Sequence, residues 1–97
     1  MQDSISTIRL MDIVSGTSTN AEGLLLFNVL DNILLTSQKV RLTLDGATPF
    51  STSFLNSSIG CLVDKYGIEA TRKRLVFLNL TKSQIKKMTS YFEMVSC

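Results

Sequence analysis

Leu44-Asp45-Gly46-Ala47-Thr48-Pro49-Phe50-Ser51-Thr52-Ser53-Phe54-Leu55 is the stretch whose reading decides the fold. Just before it, Val40, Leu42 and Leu44 alternate with polar residues, the period-two pattern of a strand with one buried face. Asp45-Gly46 is turn chemistry. Beyond the turn, three hydroxyl residues open an amphipathic segment. The stretch reads as a strand, a short loop and a helix whose first turn carries Ser51, Thr52 and Ser53. Free backbone N–H groups and the positive end of a helix dipole gather at such a terminus. It suits a phosphate, bound or covalently attached. Plain helix capping by the same hydroxyls, which stabilises by about 1 kcal/mol without a ligand, is the simpler reading. Small-anion or nucleotide binding is a third.

Working outward, Ile8 and Leu10 alternate with Thr7 and Arg9, so Ile5 to about Met11 reads as a strand. Ser15-Gly16-Thr17-Ser18-Thr19 is loop chemistry, and Thr19 or Asn20 caps a helix running to about Leu35. Gly23, Leu26, Phe27, Leu30, Ile33 and Leu34 recur at helical spacing and form its buried stripe. Gly23 on that stripe would let the helix approach a sheet closely. Leu24, Leu25 and Leu35 fall off the stripe, either covered by neighbouring structure or forming an apolar patch for a partner. A homo-oligomer through Leu24 and Leu25 is one such use.

The second helix is expected from about Thr52 to Tyr66, with Leu55, Ile59, Leu62, Val63 and Tyr66 facing the core. Gly67 stands where a left-handed stop belongs. The opposite face, with Ser53, Asn56, Ser57, Gly60 and Asp64, is small and polar, a surface another protein can approach. Phe54 lies off the core stripe and reads either as packing under the loop or as an exposed aromatic anchor. Arg74 to Leu80 reads as a strand that is apolar on both faces, hence buried and central. Thr81-Lys82-Ser83-Gln84 is a capping-box pattern. The helix it opens runs to about Val95, with Ile85, Met88, Phe92 and Val95 facing in and Lys82, Lys86 and Lys87 facing out.

The order β-α-β-α-β-α predicts a small single α/β domain over residues 1–97, with crossover connections and a mostly parallel sheet. In such sheets function gathers at the carboxyl ends of the strands. The loops Ser15–Asn20, Asp45–Ser53 and Asn79–Thr81 all leave such ends.

Composition sets the outer limits. The chain has 97 residues, 44% of them hydrophobic and 19% charged, with one proline. That is enough for one core and does not describe a disordered tail. No apolar run approaches the roughly 18 residues that span a bilayer, and Met1-Gln2-Asp3-Ser4 does not read as a signal peptide. Cys61 and Cys97 read as free thiols in a reducing cytoplasm. With no histidine in the chain, histidine-based catalysis and the common zinc sites are excluded. Asp45 ends a strand and is expected to bond loop N–H groups; its pairing with Asp12 around a metal has little behind it. Residues 1–50 carry three basic side chains against five acidic ones, and residues 51–97 carry seven against three. The basic half reads as a solvated face or as a surface for an anionic partner.

The run Val40-Arg41-Leu42-Thr43-Leu44-Asp45-Gly46-Ala47, then Phe50-Ser51-Thr52-Ser53-Phe54-Leu55, resembles the STAS-like domains, small relatives of bacterial anti-sigma-factor antagonists. Gly67, the strand Leu75-Val76-Phe77-Leu78-Asn79 and the last helix fit the same order. In those antagonists the loop holds an Asp-Ser-Ser/Thr-Gly motif whose first hydroxyl is phosphorylated by a serine kinase of the histidine-kinase-like ATPase class. The resemblance implies an acceptor at Thr52 and a second hydroxyl at Ser53. Ser51 stands where the motif has Asp, and Phe54 where it has Gly.

The leading expectation is thus a non-catalytic, regulatory protein-interaction module without a cofactor. It would bind a protein partner, a histidine-kinase-like ATPase or another regulator, through Phe54, Asn56, Ser57, Gly60 and Asp45. Phosphorylation at Thr52, Ser53 or Ser51 would switch it. The alternative is nucleotide or nucleic-acid binding by the basic half, through Arg72, Lys73, Arg74, Lys82, Lys86 and Lys87. Few aromatics interleave those charges to stack bases. An enzyme is disfavoured, because the hydroxyls have no histidine or lysine nearby in sequence to act as a base.

Overall fold

A computed structural model describes residues 5–46 and 50–95. Three strands, β1 (Ile5–Arg9), β2 (Lys39–Thr43) and β3 (Leu75–Leu78), form a parallel sheet in the order β1-β2-β3. Five α-helices complete the described chain: α1 (Asn20–Thr36), α2 (Thr52–Ser57), α3 (Ile59–Tyr66), α4 (Ile68–Arg74) and α5 (Lys82–Val95).

The sheet is buried on one parity only. Val40 and Leu42 of β2 are almost fully enclosed and stand in register with Ser6 and Ile8 of β1 and with Leu75 and Phe77 of β3. Of the other parity, Thr7, Arg9, Lys39 and Arg41 are exposed, and Thr43, Val76 and Leu78 are half-buried. Above the buried parity sit Leu26, Leu30 and Leu34 of α1, Leu55 of α2, Ile59 and Leu62 of α3 and Met88 of α5. Each fully buried Leu or Ile contributes about 1.5–3 kcal/mol by leaving water.

α1 begins with a reciprocal cap. The Thr19 hydroxyl accepts the Glu22 N–H at 3.2 Å, and the Glu22 carboxylate accepts the Thr19 N–H at 3.2 Å. At the far end of α1, Arg74 donates to the carbonyls of Leu34 (2.7 Å), Ser37 (3.0 Å) and Gln38 (3.0 Å). It thereby closes orphan carbonyls beyond the helix end. Thr81 and Gln84 form the expected box at the start of α5: each backbone N–H donates to the other's side chain, at 2.9 and 3.1 Å.

Five expectations are corrected. β1 stops at Arg9, and Leu10–Asp12 form a short 3₁₀ turn that drops Leu10 into the core. The second helix is not continuous. At Ser58 the backbone leaves helical geometry (φ −111°, ψ −81°), and the buried Ser58 hydroxyl donates to the Phe54 carbonyl at 2.8 Å. A serine hydroxyl bonding four residues back bends or ends a helix. α4 was not foreseen. Gly67, at φ +91°, stops α3 and lets the chain turn directly into it. β3 is an edge strand, and β2 is the central one. In α5 Met88, Phe92 and Val95 pack on the core as expected, but Gln84 and Tyr91 are buried with them and Ile85 is 50% exposed.

The close approach at Gly23 is real, but its neighbour is a helix. A Cβ there would collide with the Phe54 carbonyl and lie 2.8 Å from Ser57 Cβ, so α1 and α2 meet backbone to backbone. Leu24, Leu25 and Leu35 are 50%, 53% and 70% exposed on the outer side of α1.

Candidate functional site

The three loops converge at the carboxyl ends of the strands. The Ser51 N–H donates to the Thr17 carbonyl at 3.0 Å, which joins the loop before α2 to the loop before α1. Asn79 Nδ2 donates to Asp45 Oδ2 at 3.2 Å, which joins the loops after β2 and β3. Asp45 thus bonds a side-chain amide, and the N–H groups of the following loop, which it is expected to bond, belong in part to residues outside the described ones. Gly46 makes the turn after β2 at φ +78°. Ala47, Thr48 and Pro49 lie outside the described residues, as does Cys97.

At this edge the three hydroxyls have different fates. Ser51 is the N-cap of α2: its hydroxyl accepts the Phe54 N–H at 3.0 Å and donates to the Ser18 carbonyl at 2.9 Å. Both valences serve the fold. Thr52 and Ser53 are exposed. Lys87 Nζ, from the first half of α5, donates to Thr52 Oγ1 at 3.2 Å. The break at Ser58 leaves α2 six residues long. The long helix dipole expected behind these hydroxyls is therefore absent, and Lys87 supplies the positive charge instead. Sequence spacing gave no sign of this pairing, because Thr52 and Lys87 are 35 residues apart.

Phe54 is not an exposed anchor. It is 1% exposed and stacks on Phe50 with ring centroids 5.9 Å apart. The bend at Ser58 rotates α2 relative to α3, so Phe54 and Leu55 both turn inward. Ser57 is half-buried and donates to Asn20 Oδ1 at 3.0 Å, against the start of α1. Gly60 lies under Tyr91, whose hydroxyl would meet any Cβ placed there and donates to Asn56 Oδ1 at 2.9 Å. Asn56, Gly60, Val63, Asp64, Tyr91 and Val95 line an open cleft of about 380 Å³. Of the expected acceptors and contact residues on α2, Thr52, Ser53 and Asn56 are exposed.

Charge near the site is ordered by hydrogen bonds. The Glu22 carboxyl is held below its ordinary value, first by the Thr19 hydroxyl, against the desolvation that raises it, and then by the Ser18 and Thr19 N–H groups and the Ser15 hydroxyl. On the other side of α3, Asp31 accepts from Lys65 Nζ at 2.8 Å and from the Tyr66 hydroxyl, which lowers its carboxyl in that order of importance. Arg74 lies over the Tyr66 ring at 5.6 Å. The run Arg72-Lys73-Arg74 is therefore not one basic patch: Arg74 is turned into the fold, and Arg72 lies over Phe92. Cys61 is a free, half-buried thiol.

Among the described residues, no group of three or more acidic, cysteine or histidine side chains is placed to hold a metal. Asp12 pairs with Arg9 and Asp45 with Asn79. No helix among the described residues is long and apolar enough to cross a membrane.

A family model described as a STAS-like domain of unknown function matches residues 24–84. That span runs from within α1 to the first turn of α5 and includes Ser51, Thr52 and Ser53. No curated protein and no solved structure matches the chain.

Proposed function

The chain belongs to this family of STAS-like domains of unknown function, and from that membership we propose that it is a non-catalytic regulatory module that binds a protein partner and is switched at Thr52. The observation that carries the reading is the exposed Thr52 hydroxyl with Lys87 Nζ 3.2 Å away. A phosphate there would add about −1.5 to −2 charges and would be paired locally by the Lys87 ammonium. The folded domain tolerates that charge. A partner seated on Thr52, Ser53 and Asn56 through neutral contacts does not, because it would have to desolvate a dianion. Ser51 is the weakest acceptor of the three, since modification would remove the cap of α2. The partner implied by the likeness to anti-sigma-factor antagonists is a histidine-kinase-like ATPase acting as a serine kinase, or another regulator, in the cytoplasm.

The test is an affinity pull-down of tagged protein from its native lysate, read by mass spectrometry for partners and phosphopeptides. An ATPase or regulator recovered with phosphate on Thr52 or Ser53 supports the switch. A partner whose affinity is the same for the wild type and for Thr52→Glu removes the switch and keeps the module. Co-purifying nucleic acid without a protein partner overturns both.

A further inference from the structure

A second surface lies on the other side of α5. β3 pairs with β2 along one edge only, and among the described residues no strand pairs with the other. Backbone groups alternate in direction along a parallel ladder. The Leu78 carbonyl accepts from Leu44 on the β2 side, so the N–H and carbonyl of Phe77 point outward, away from the sheet. Leu75 uses its N–H to close α4 on the Thr71 carbonyl, which leaves its carbonyl outward as well.

Edge strands are ordinarily blunted by charge, proline or a bulge. β3 reads Leu-Val-Phe-Leu and has none of these. Beside it, Leu75, Phe77, Ile85, Met88 and Phe92 line an open groove of about 250 Å³ between the strand and α5. Ile85 is 50% exposed at its mouth.

Cations stand at one side of this groove. Arg72 lines it and lies over the Phe92 ring at 5.7 Å. On α5, Lys82 is exposed one turn before Ile85, and Lys86 is exposed as well.

We propose that the free edge of β3 and its groove accept an extended segment of a partner protein, apolar on alternate residues and flanked by carboxylates, as a fourth strand of the sheet. Main-chain bonds to Phe77 and Leu75 supply affinity, and alternate side chains entering the groove supply register. The carboxylates meet Arg72 and the α5 lysines, which selects acidic flanks over basic ones. This surface is separate from Thr52, because Lys87 faces that site from the other side of α5, and the two stand or fall independently.

The experiment uses the whole protein and a short capped peptide that alternates valine and threonine between terminal glutamates. Binding is followed by amide shifts in nuclear magnetic resonance. Shifts confined to Arg72–Leu80 and Lys82–Phe92 are expected. Exchanging the glutamates for lysines should weaken binding about tenfold, the loss of roughly one charge-assisted contact. N-methylation of alternate peptide amides should abolish it. Arg72→Glu and Ile85→Lys, both at exposed positions, should weaken binding with an unchanged thermal midpoint. The proposal is overturned if these amides do not shift. Unaltered binding of the N-methylated peptide also overturns it. A dimer in sedimentation equilibrium whose Phe77 amide is protected would assign the edge to a second copy instead.

Discussion

Gly23 of α1 packs directly on the main-chain carbonyl of Phe54 in α2, in a space that admits no Cβ. The seam holds the candidate site in place, since Thr52 and Ser53 lie on the helix that this contact fixes. Gly23→Ala gains about 1 kcal/mol of helix propensity but forces the two backbones apart, an overpacking cost of about 1–3 kcal/mol. A net destabilisation is expected as a lower urea midpoint with an unchanged slope. A gain in stability would show that the seam opens freely.

Ser51 and Thr52 are neighbours with opposite sensitivities. Ser51→Ala removes a cap and a loop tether and should cost about 1–2 kcal/mol. Thr52→Ala and Ser53→Ala, at exposed positions, should stay within about 0.5 kcal/mol of the wild type. Denaturant titration of the three variants checks this order, and an equal loss at Thr52 would mean that its hydroxyl is structural.

Phe54→Ala separates a core residue from a binding anchor. Emptying its site under Phe50 should cost about 3–5 kcal/mol in unfolding free energy. A variant that kept full stability and lost only partner binding would contradict its burial.

Arg74 holds the end of α1 through three carbonyls. Arg74→Met keeps the stem and removes the donors, with an expected loss of about 1–3 kcal/mol. Arg74→Lys should recover part of it, because an ammonium cannot span the same carbonyls as a planar fork. Thermal unfolding of the two variants gives the comparison.

The Asp31 network makes stability pH-dependent at both ends. The folded Asp31 carboxyl is depressed, chiefly by the Lys65 hydrogen bond and then by Tyr66. Its contribution is therefore complete above the pH at which a free aspartate titrates, about 4. It is lost as the pH falls through the depressed value. Lys65 and Tyr66 are both raised, each mainly by its bond to Asp31. Their contributions are present below their unfolded values and fade as the pH rises through the folded ones. Asp31→Asn should lower the middle of a stability-against-pH curve, where all three contributions are present, and so flatten both limbs.

The strand-loop-helix unit was legible because its signals are local: alternation in Val40-Leu42-Leu44, a turn at Asp45-Gly46, then hydroxyls. The capping box at Thr81 was read the same way. At the start of α1 the sequence names Thr19 or Asn20 as the cap but not the box that Glu22 completes, because the loop before it offers several caps. The bend at Ser58 has a local cause in a poor helix-forming run, Asn56-Ser57-Ser58, but the strong apolar spacing of Leu55, Ile59 and Leu62 concealed it. An unbroken helix puts Phe54 off the core stripe and leaves open both packing under the loop and an exposed anchor. β3 looked central because both its faces are apolar, and edge position is a property of topology that no four-residue string encodes. Lys87 beside Thr52 is likewise a meeting made by packing alone.

The one-sided burial of the sheet implies a rhythm of tolerance. In a saturation-mutagenesis screen for folding, Thr7 and Arg41 should accept almost any residue outside proline. Their sequence neighbours Ile8 and Leu42 should accept only a few. Moving along β1 and β2, permissive and less tolerant positions would alternate, and the two strands would keep the same beat because they share a register.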